Sequence, residues 1–212
     1  MGEQRRRLVL EQGAGAEAER DDVFAAFGPE KDMQIYGHGI RRRAAPMLGG
    51  DGPRLRMAWS LMLSLPGTPV ILYGDEIGIA EDLSREGRMA VRVPMRWDDV
   101  DAQRRDDGSL LQFMSKLLHR RHETPELGFG ASTLLENEPP ALFAHRCDWQ
   151  DSTVYALHNL SDETVTAELD LGDDVGAVDD LLERRDHRVE GGRLRVELAA
   201  YGYLWLRARR AS

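Results

Sequence analysis

SLPGTPVILYGDEIG, residues Ser64–Gly78, decides how this chain is read. Pro66-Gly67 stops whatever precedes it. Thr68 to Tyr73 is an apolar run with β-branched residues and no alternation, and Asp75-Glu76 follows it. Such a run fits a strand buried on both faces, as in parallel sheets. Upstream, Leu55, Ala58, Leu61, Met62 and Leu65 recur at three- and four-residue spacing, which predicts a helix over Arg54–Leu65. Met57, Trp59 and Met62 are read as core rather than as a binding box. Helix, turn and buried strand make an αβ unit. Carboxylates at the carboxyl end of a parallel strand stand where barrel enzymes do their chemistry. Adjacent residues in extended chain point to opposite sides, so Asp75 and Glu76 do not by themselves form an acid/base pair.

Working outward, residues 1–22 are a polar entry segment, Ala80 to Val100 reads as irregular, and Ser109–Arg121 is a second helix. That helix carries an apolar face of Leu110, Phe113, Met114, Leu117 and Leu118, with Asp106-Asp107 near its N-terminus. After Pro125 the pattern changes. Strands are predicted at Leu142–Arg146, Thr153–His158, Thr164–Leu169, Val178–Leu181, Leu194–Leu198 and Tyr201–Arg207, separated by turn signals. Short strands at this spacing predict an antiparallel sandwich. The fold class is therefore α/β plus all-β, with a boundary near Gly128–Leu135.

The totals exclude several function classes. A formal net charge of -9 argues against nucleic acid and an anionic membrane surface as partners. No run is long enough for a membrane span, and Leu8-Val9-Leu10 after Arg5-Arg6-Arg7 is too short for a secretion signal, so the expected compartment is the cytoplasm. The single cysteine, Cys147, excludes an internal disulfide and reads as an inert strand thiol. His119 and His122 read as a solvated helix end, His145 and His158 as ordinary strand residues, and His38 has no evident partner. Gly128 to Thr133 lacks the features of a phosphate loop, and Asn159-Leu160-Ser161 is a sequon without a glycosylating compartment. Arg41-Arg42-Arg43 reads as a solvated or acid-paired face. No metal site and no cofactor is expected.

The stretch RMAWSLMLSLPGTPVILYGDEIGIAEDLSREGRMAVRVPMRW resembles the last barrel segment of the α-amylase superfamily, in its trehalose synthase (maltose glucosyltransferase) branch. FAAFGPEKDMQIYGHGIRRRAAPMLGGD and LFAHRCDWQDSTVYALHNLSDE resemble the same branch. The resemblance implies a partial (β/α)8-barrel segment over 23–127, with Thr68–Tyr73 as its eighth strand, followed by a C-terminal β-sandwich over 128–212. It implies α-glucoside transfer or isomerisation with retention, through an aspartate nucleophile and a glutamate acid/base.

The departures bear on activity. The branch's nucleophile, acid/base and Asn-His-Asp motifs are not found in these residues, and Arg96 replaces the usual glutamine in Pro94-Met95-Arg96-Trp97. A retaining mechanism needs two carboxyl groups about 5–5.5 Å apart across one bond, which Asp75-Glu76 does not supply. The expectation is a truncated trehalose synthase-like protein, inactive alone, with no catalytic residue of its own. Glu76, Arg88 and Arg92 are left as residues bracing loops around a sugar site. The alternative is an α-glucan-binding or barrel-completing module, with Trp149, Tyr155, Tyr201, Tyr203 and Trp205 as candidate sugar contacts. Implied partners are α-linked glucosides and an N-terminal catalytic half or a second copy.

Overall fold

A computed structural model describes residues 17–36, 39–136, 139–183 and 185–210. The reading of His38, and those of the Arg5-Arg6-Arg7 and Leu8-Val9-Leu10 runs, lie outside the described residues. The chain divides into two compact units, residues 1–50 with 78–96 and residues 51–77 with 97–212.

In the first unit, helix α1 (residues 17–27) leads to a two-stranded antiparallel ladder, β1 (Gln34–Ile35) with β2 (Gly39–Ile40), and a one-turn helix α2 (Ala44–Met47). The 78–96 loop contains a 3-10 helix at Gly87–Val91. Arginines tie it down. Arg42 pairs with Glu81 at 2.9 Å, and the Arg43 N–H donates to the same carboxylate at 2.9 Å. The Arg43 guanidinium donates to the Val91 carbonyl at 2.8 Å, and Arg41 donates to the carbonyls of Leu83 and Arg85. Arg42 is thus acid-paired, while Arg41 and Arg43 bond backbone carbonyls; Arg43 is only 2% exposed.

The second unit has three layers. Helix α3 (Gly52–Ser64) is capped by the Asp51 side chain, which accepts from the Arg54 N–H at 2.8 Å, and carries proline in its first turn. Helices α4 (Trp97–Arg104), α5 (Leu110–His122) and α6 (Pro125–Phe129) follow. Ser109 caps α5, and Met114 and Leu117 are its buried face. A six-stranded antiparallel sheet then runs in the order β3 (Ala131–Leu135), β4 (Leu142–Trp149), β5 (Ser152–Asn159), β11 (Tyr203–Arg210), β7 (Val175–Asp180), β8 (Asp186–His187). A three-stranded sheet, β6 (Val165–Asp170), β10 (Arg193–Leu198) and β9 (Val189–Glu190), covers one face of it. Leu142, Tyr155, Leu157, Val165, Leu169, Leu194, Leu204 and Leu206 form the core between the sheets. The other face of β4, β5 and β11 packs against helices. That is why β5 is buried at almost every position, whereas β10 buries one face and the edge strand β3 is mostly exposed.

Two sequence expectations need correction. Thr68–Tyr73 forms no strand, and Val70 is 84% exposed. A strand exists only against a neighbour, and no segment among the described residues pairs with this one. The region 80–100 is not wholly irregular, because α4 begins at Trp97; its acidic first turn, Asp98 and Asp99, favours the N-terminus. Gly128 to Thr133, set aside above as a phosphate loop, contains the end of α6 and the start of β3. Among the described residues no helix is long and apolar enough to cross a membrane.

Candidate functional site

The segment after α3 is shaped by two devices. Pro66-Gly67 ends the helix, with Gly67 at φ +100° where a side chain would be strained. Arg121 of α5 gathers the freed carbonyls, donating to Leu63, to Leu65 at 3.2 Å and to Gly67 at 2.6 Å. Beyond this anchor, Val70, Leu72 and Tyr73 are exposed. None of the backbone N–H groups of residues 68–72 has a partner among the described residues.

The chain then turns through a 3-10 helix at Asp75–Ile77. Ile77 is buried, and its carbonyl accepts from the Gln103 side chain at 3.0 Å. Glu76 is half-buried and has no hydrogen bond or ion pair among the described residues. Arg88 lies within the 3-10 helix Gly87–Val91 and Arg92 caps its end; both are exposed. The two arginines therefore share one loop, while Glu76 belongs to the other compact unit.

The joint between α3 and the large sheet carries a polar network that sequence reading missed. Ser60 and Ser64 are both inaccessible, one helical turn apart on α3. Ser60 Oγ lies 3.0 Å from His158 Nε2 on β5 and accepts from Trp205 Nε1 on β11 at 3.0 Å. Ser64 Oγ lies 3.1 Å from His145 Nε2 on β4 and donates to the Leu61 carbonyl at 2.9 Å. With its proton committed to Leu61, Ser64 accepts from His145. This leaves His145 Nδ1 as an acceptor facing the Cys147 thiol at 3.7 Å.

A serine beside a histidine invites a nucleophile–base reading, and the surroundings reject it. His158 is fully buried, burial drives its pKa down to about 3, and its Nδ1 has no partner to orient it as a base. Burial likewise lowers the His145 pKa and raises that of the Cys147 thiol. These groups are a neutral clamp. The signal for it was available: two serines inside an otherwise apolar helix face need buried partners.

A second anchor ties α6 to the sheet. Glu126, 2% exposed, receives Arg207 at 2.8 and 3.0 Å and the Ser152 hydroxyl at 2.5 Å. Burial raises the Glu126 carboxyl, but the Arg207 and Ser152 bonds outweigh it and hold the pKa below the ordinary value.

The aromatic candidates divide. Trp205 and Tyr155 are core, at 0% and 2% exposure. Tyr203 meets Phe113 edge-on at 6.0 Å and is half-buried; burial pushes its hydroxyl up to about 12. Tyr201 lies under Arg54. Trp149 is half-buried beside Phe129, which is 72% exposed. No cluster of histidine, cysteine, aspartate or glutamate among the described residues is arranged to hold a metal ion.

Comparison with known proteins adds a second line of observation. Residues 152–207 match the family of sucrose hydrolase-like C-terminal domains. A trehalose synthase of Thermus thermophilus is 31% identical over 219 residues, covering 88% of this chain and 23% of the relative. A trehalose synthase/amylase of Mycobacterium tuberculosis is 32% identical over 186 residues, covering 72% of this chain and 31% of the relative. The chain thus spans about a quarter to a third of the length of these curated relatives. Among solved structures, the α-amylase of H. orenii superposes with a TM-score of 0.65 at 23% identity, covering 79% of this chain and 38% of the other. A cyclomaltodextrinase superposes with a TM-score of 0.66 at 20% identity, covering 79% and 28%. These structures share the fold.

Proposed function

We propose that this chain, 31% identical to a trehalose synthase and 32% to a trehalose synthase/amylase, corresponds to the C-terminal part of an α-amylase superfamily protein of the trehalose synthase kind and closes and braces a catalytic barrel acting on α-glucosides. The reading assigns the nucleophile and acid/base to polypeptide outside these 212 residues, in the same chain or another. On this view Thr68–Tyr73 becomes a stave when that polypeptide lies beside it. Glu76 then stands at the rim of the sugar site, and Arg88 and Arg92 brace the loop around it.

One observation carries the proposal. A β-branched apolar segment is held at its start by Arg121 and ends near the buried Ile77, yet Val70 and Leu72 are solvent-exposed and the backbone N–H groups of Thr68, Val70, Ile71 and Leu72 have no partner among the described residues. Unpaired strand-forming segments of this kind invite a neighbouring strand.

The test is maltose-to-trehalose interconversion. The purified chain shows no turnover, and turnover appears when it is joined to a barrel polypeptide carrying the two carboxylates. Turnover by the chain alone would overturn the proposal.

A further inference from the structure

Between Gly74 and Gly78 the chain makes a single 3-10 turn, Asp75–Ile77, with Glu76 at its centre. Both flanking glycines take positive φ, +86° and +72°, so the turn is entered and left through backbone that other residues resist. Within it, the Asp75 N–H donates to the Leu72 carbonyl at 3.1 Å and the Ile77 N–H to the Gly74 carbonyl at 3.2 Å. Hydrogen bonds of a 3-10 turn are poorly aligned, so a turn this short depends on ties from outside.

Gln103 of α4 supplies such a tie. Its side-chain N–H donates to the Ile77 carbonyl at 3.0 Å, and the oxygen of the same amide accepts from the Leu111 N–H at 3.0 Å. Leu111 lies in the first turn of α5, where N–H groups lack partners within the helix. One amide therefore joins the end of the turn to the start of α5. Its orientation follows from its partners, because a backbone carbonyl only accepts and a backbone N–H only donates. The main chain of Gln103 is fixed as well: its carbonyl accepts from the hydroxyl of Ser109, the α5 cap, at 2.8 Å.

Glu76 directly precedes Ile77. It is half-buried and has no hydrogen bond or ion pair of its own among the described residues. Its carboxylate is therefore placed by the backbone of the turn.

We propose that Gln103 is a positioning residue: by bridging Ile77 and Leu111 it sets where Glu76 is presented. The role of Glu76 at a sugar rim rests on the proposed function above; the bridge rests on the geometry.

Nuclear magnetic resonance on the 212-residue chain tests this with Gln103→Glu and Gln103→Leu. Gln103→Glu keeps the acceptor for Leu111 and loses the donor to Ile77. Amide exchange should then speed about tenfold at Ile77 and stay unchanged at Leu111, the ratio expected for one lost hydrogen bond. Gln103→Leu should speed both. The backbone order parameter of Glu76 should fall in both variants. Urea unfolding verifies that each variant folds. Unchanged Ile77 exchange, or unchanged order at Glu76, overturns the proposal. In an assembly joined to a catalytic barrel polypeptide, Gln103→Glu and Glu76→Ala should each raise the KM for maltose about threefold, with a smaller change in kcat. Together they should raise it no further than the larger single effect, because one acts through the other. Additive effects overturn the positioning role. Should the wild-type assembly form no trehalose, the barrel reading falls, while exchange at Ile77 and order at Glu76 still decide this proposal.

Discussion

Acidification from pH 7.5 to 4.5 should destabilise the second unit through His158. In the folded protein this imidazole is fully buried and its pKa falls to about 3, against 6.5 as the ordinary value. The unfolded chain therefore takes up a proton below pH 6.5 that the folded chain refuses until near pH 3. The stabilising contribution is whole above pH 6.5 and is lost as pH falls through that window, at about 1.4 kcal/mol per pH unit. At pH 4.5 the loss from His158 alone is about 3 kcal/mol, a large part of the roughly 5–15 kcal/mol that holds a domain folded. His145 is lowered by burial and acts in the same direction. Glu126 and Asp148 are held below the ordinary carboxylate value, so their contributions fade only at lower pH. Urea unfolding followed by near-ultraviolet circular dichroism, repeated at half-unit pH steps, reads the slope. His158→Gln keeps a neutral polar ring-sized group and should flatten the slope by about one proton between pH 6 and 4.5. A wild-type stability independent of pH over that range, or a variant with an undiminished slope, would refute the neutral-clamp reading.

Two further substitutions test the anchors. Arg121→Ala removes donors to three carbonyls at the end of α3 and should cost about 1–3 kcal/mol, with faster protease cleavage between residues 66 and 73. Arg207→Ala strands the buried Glu126 carboxylate and should cost about 3 kcal/mol in chemical denaturation, and Glu126→Gln in the same background should recover part of it. Ser109→Ala removes the α5 cap and should cost about 1 kcal/mol by the same assay.

Helices α3 and α5 were legible because apolar residues recur at helical spacing and recognisable caps and stops bound them. Most sandwich strands were legible for the same kind of reason, each bounded by turn residues. Strand β3 was not, because an exposed edge strand has no buried face to impose alternation. Helix α4 was hidden by its composition, since Val100 is its one buried residue. The run at Thr68–Tyr73 misled in the opposite sense. Its composition reports a strand's preference, while pairing and burial depend on a neighbour that these residues do not supply. Glu76, Arg88 and Arg92 came from family resemblance; the structure shows Glu76 half-buried and the two arginines exposed on one loop. The clamp joins Ser60 to His158 and Ser64 to His145, pairs 98 and 81 residues apart, so local spacing along the sequence did not name the partners.

Amide hydrogen exchange at Thr68, Val70, Ile71 and Leu72 tests the central claim most directly. In the 212-residue chain these N–H groups should exchange at nearly unprotected rates, since none has a partner. Joined to a catalytic barrel polypeptide in an assembly that forms trehalose, they should become protected as a paired strand. Protection already present in the chain alone, or unprotected exchange in an active assembly, would contradict the account.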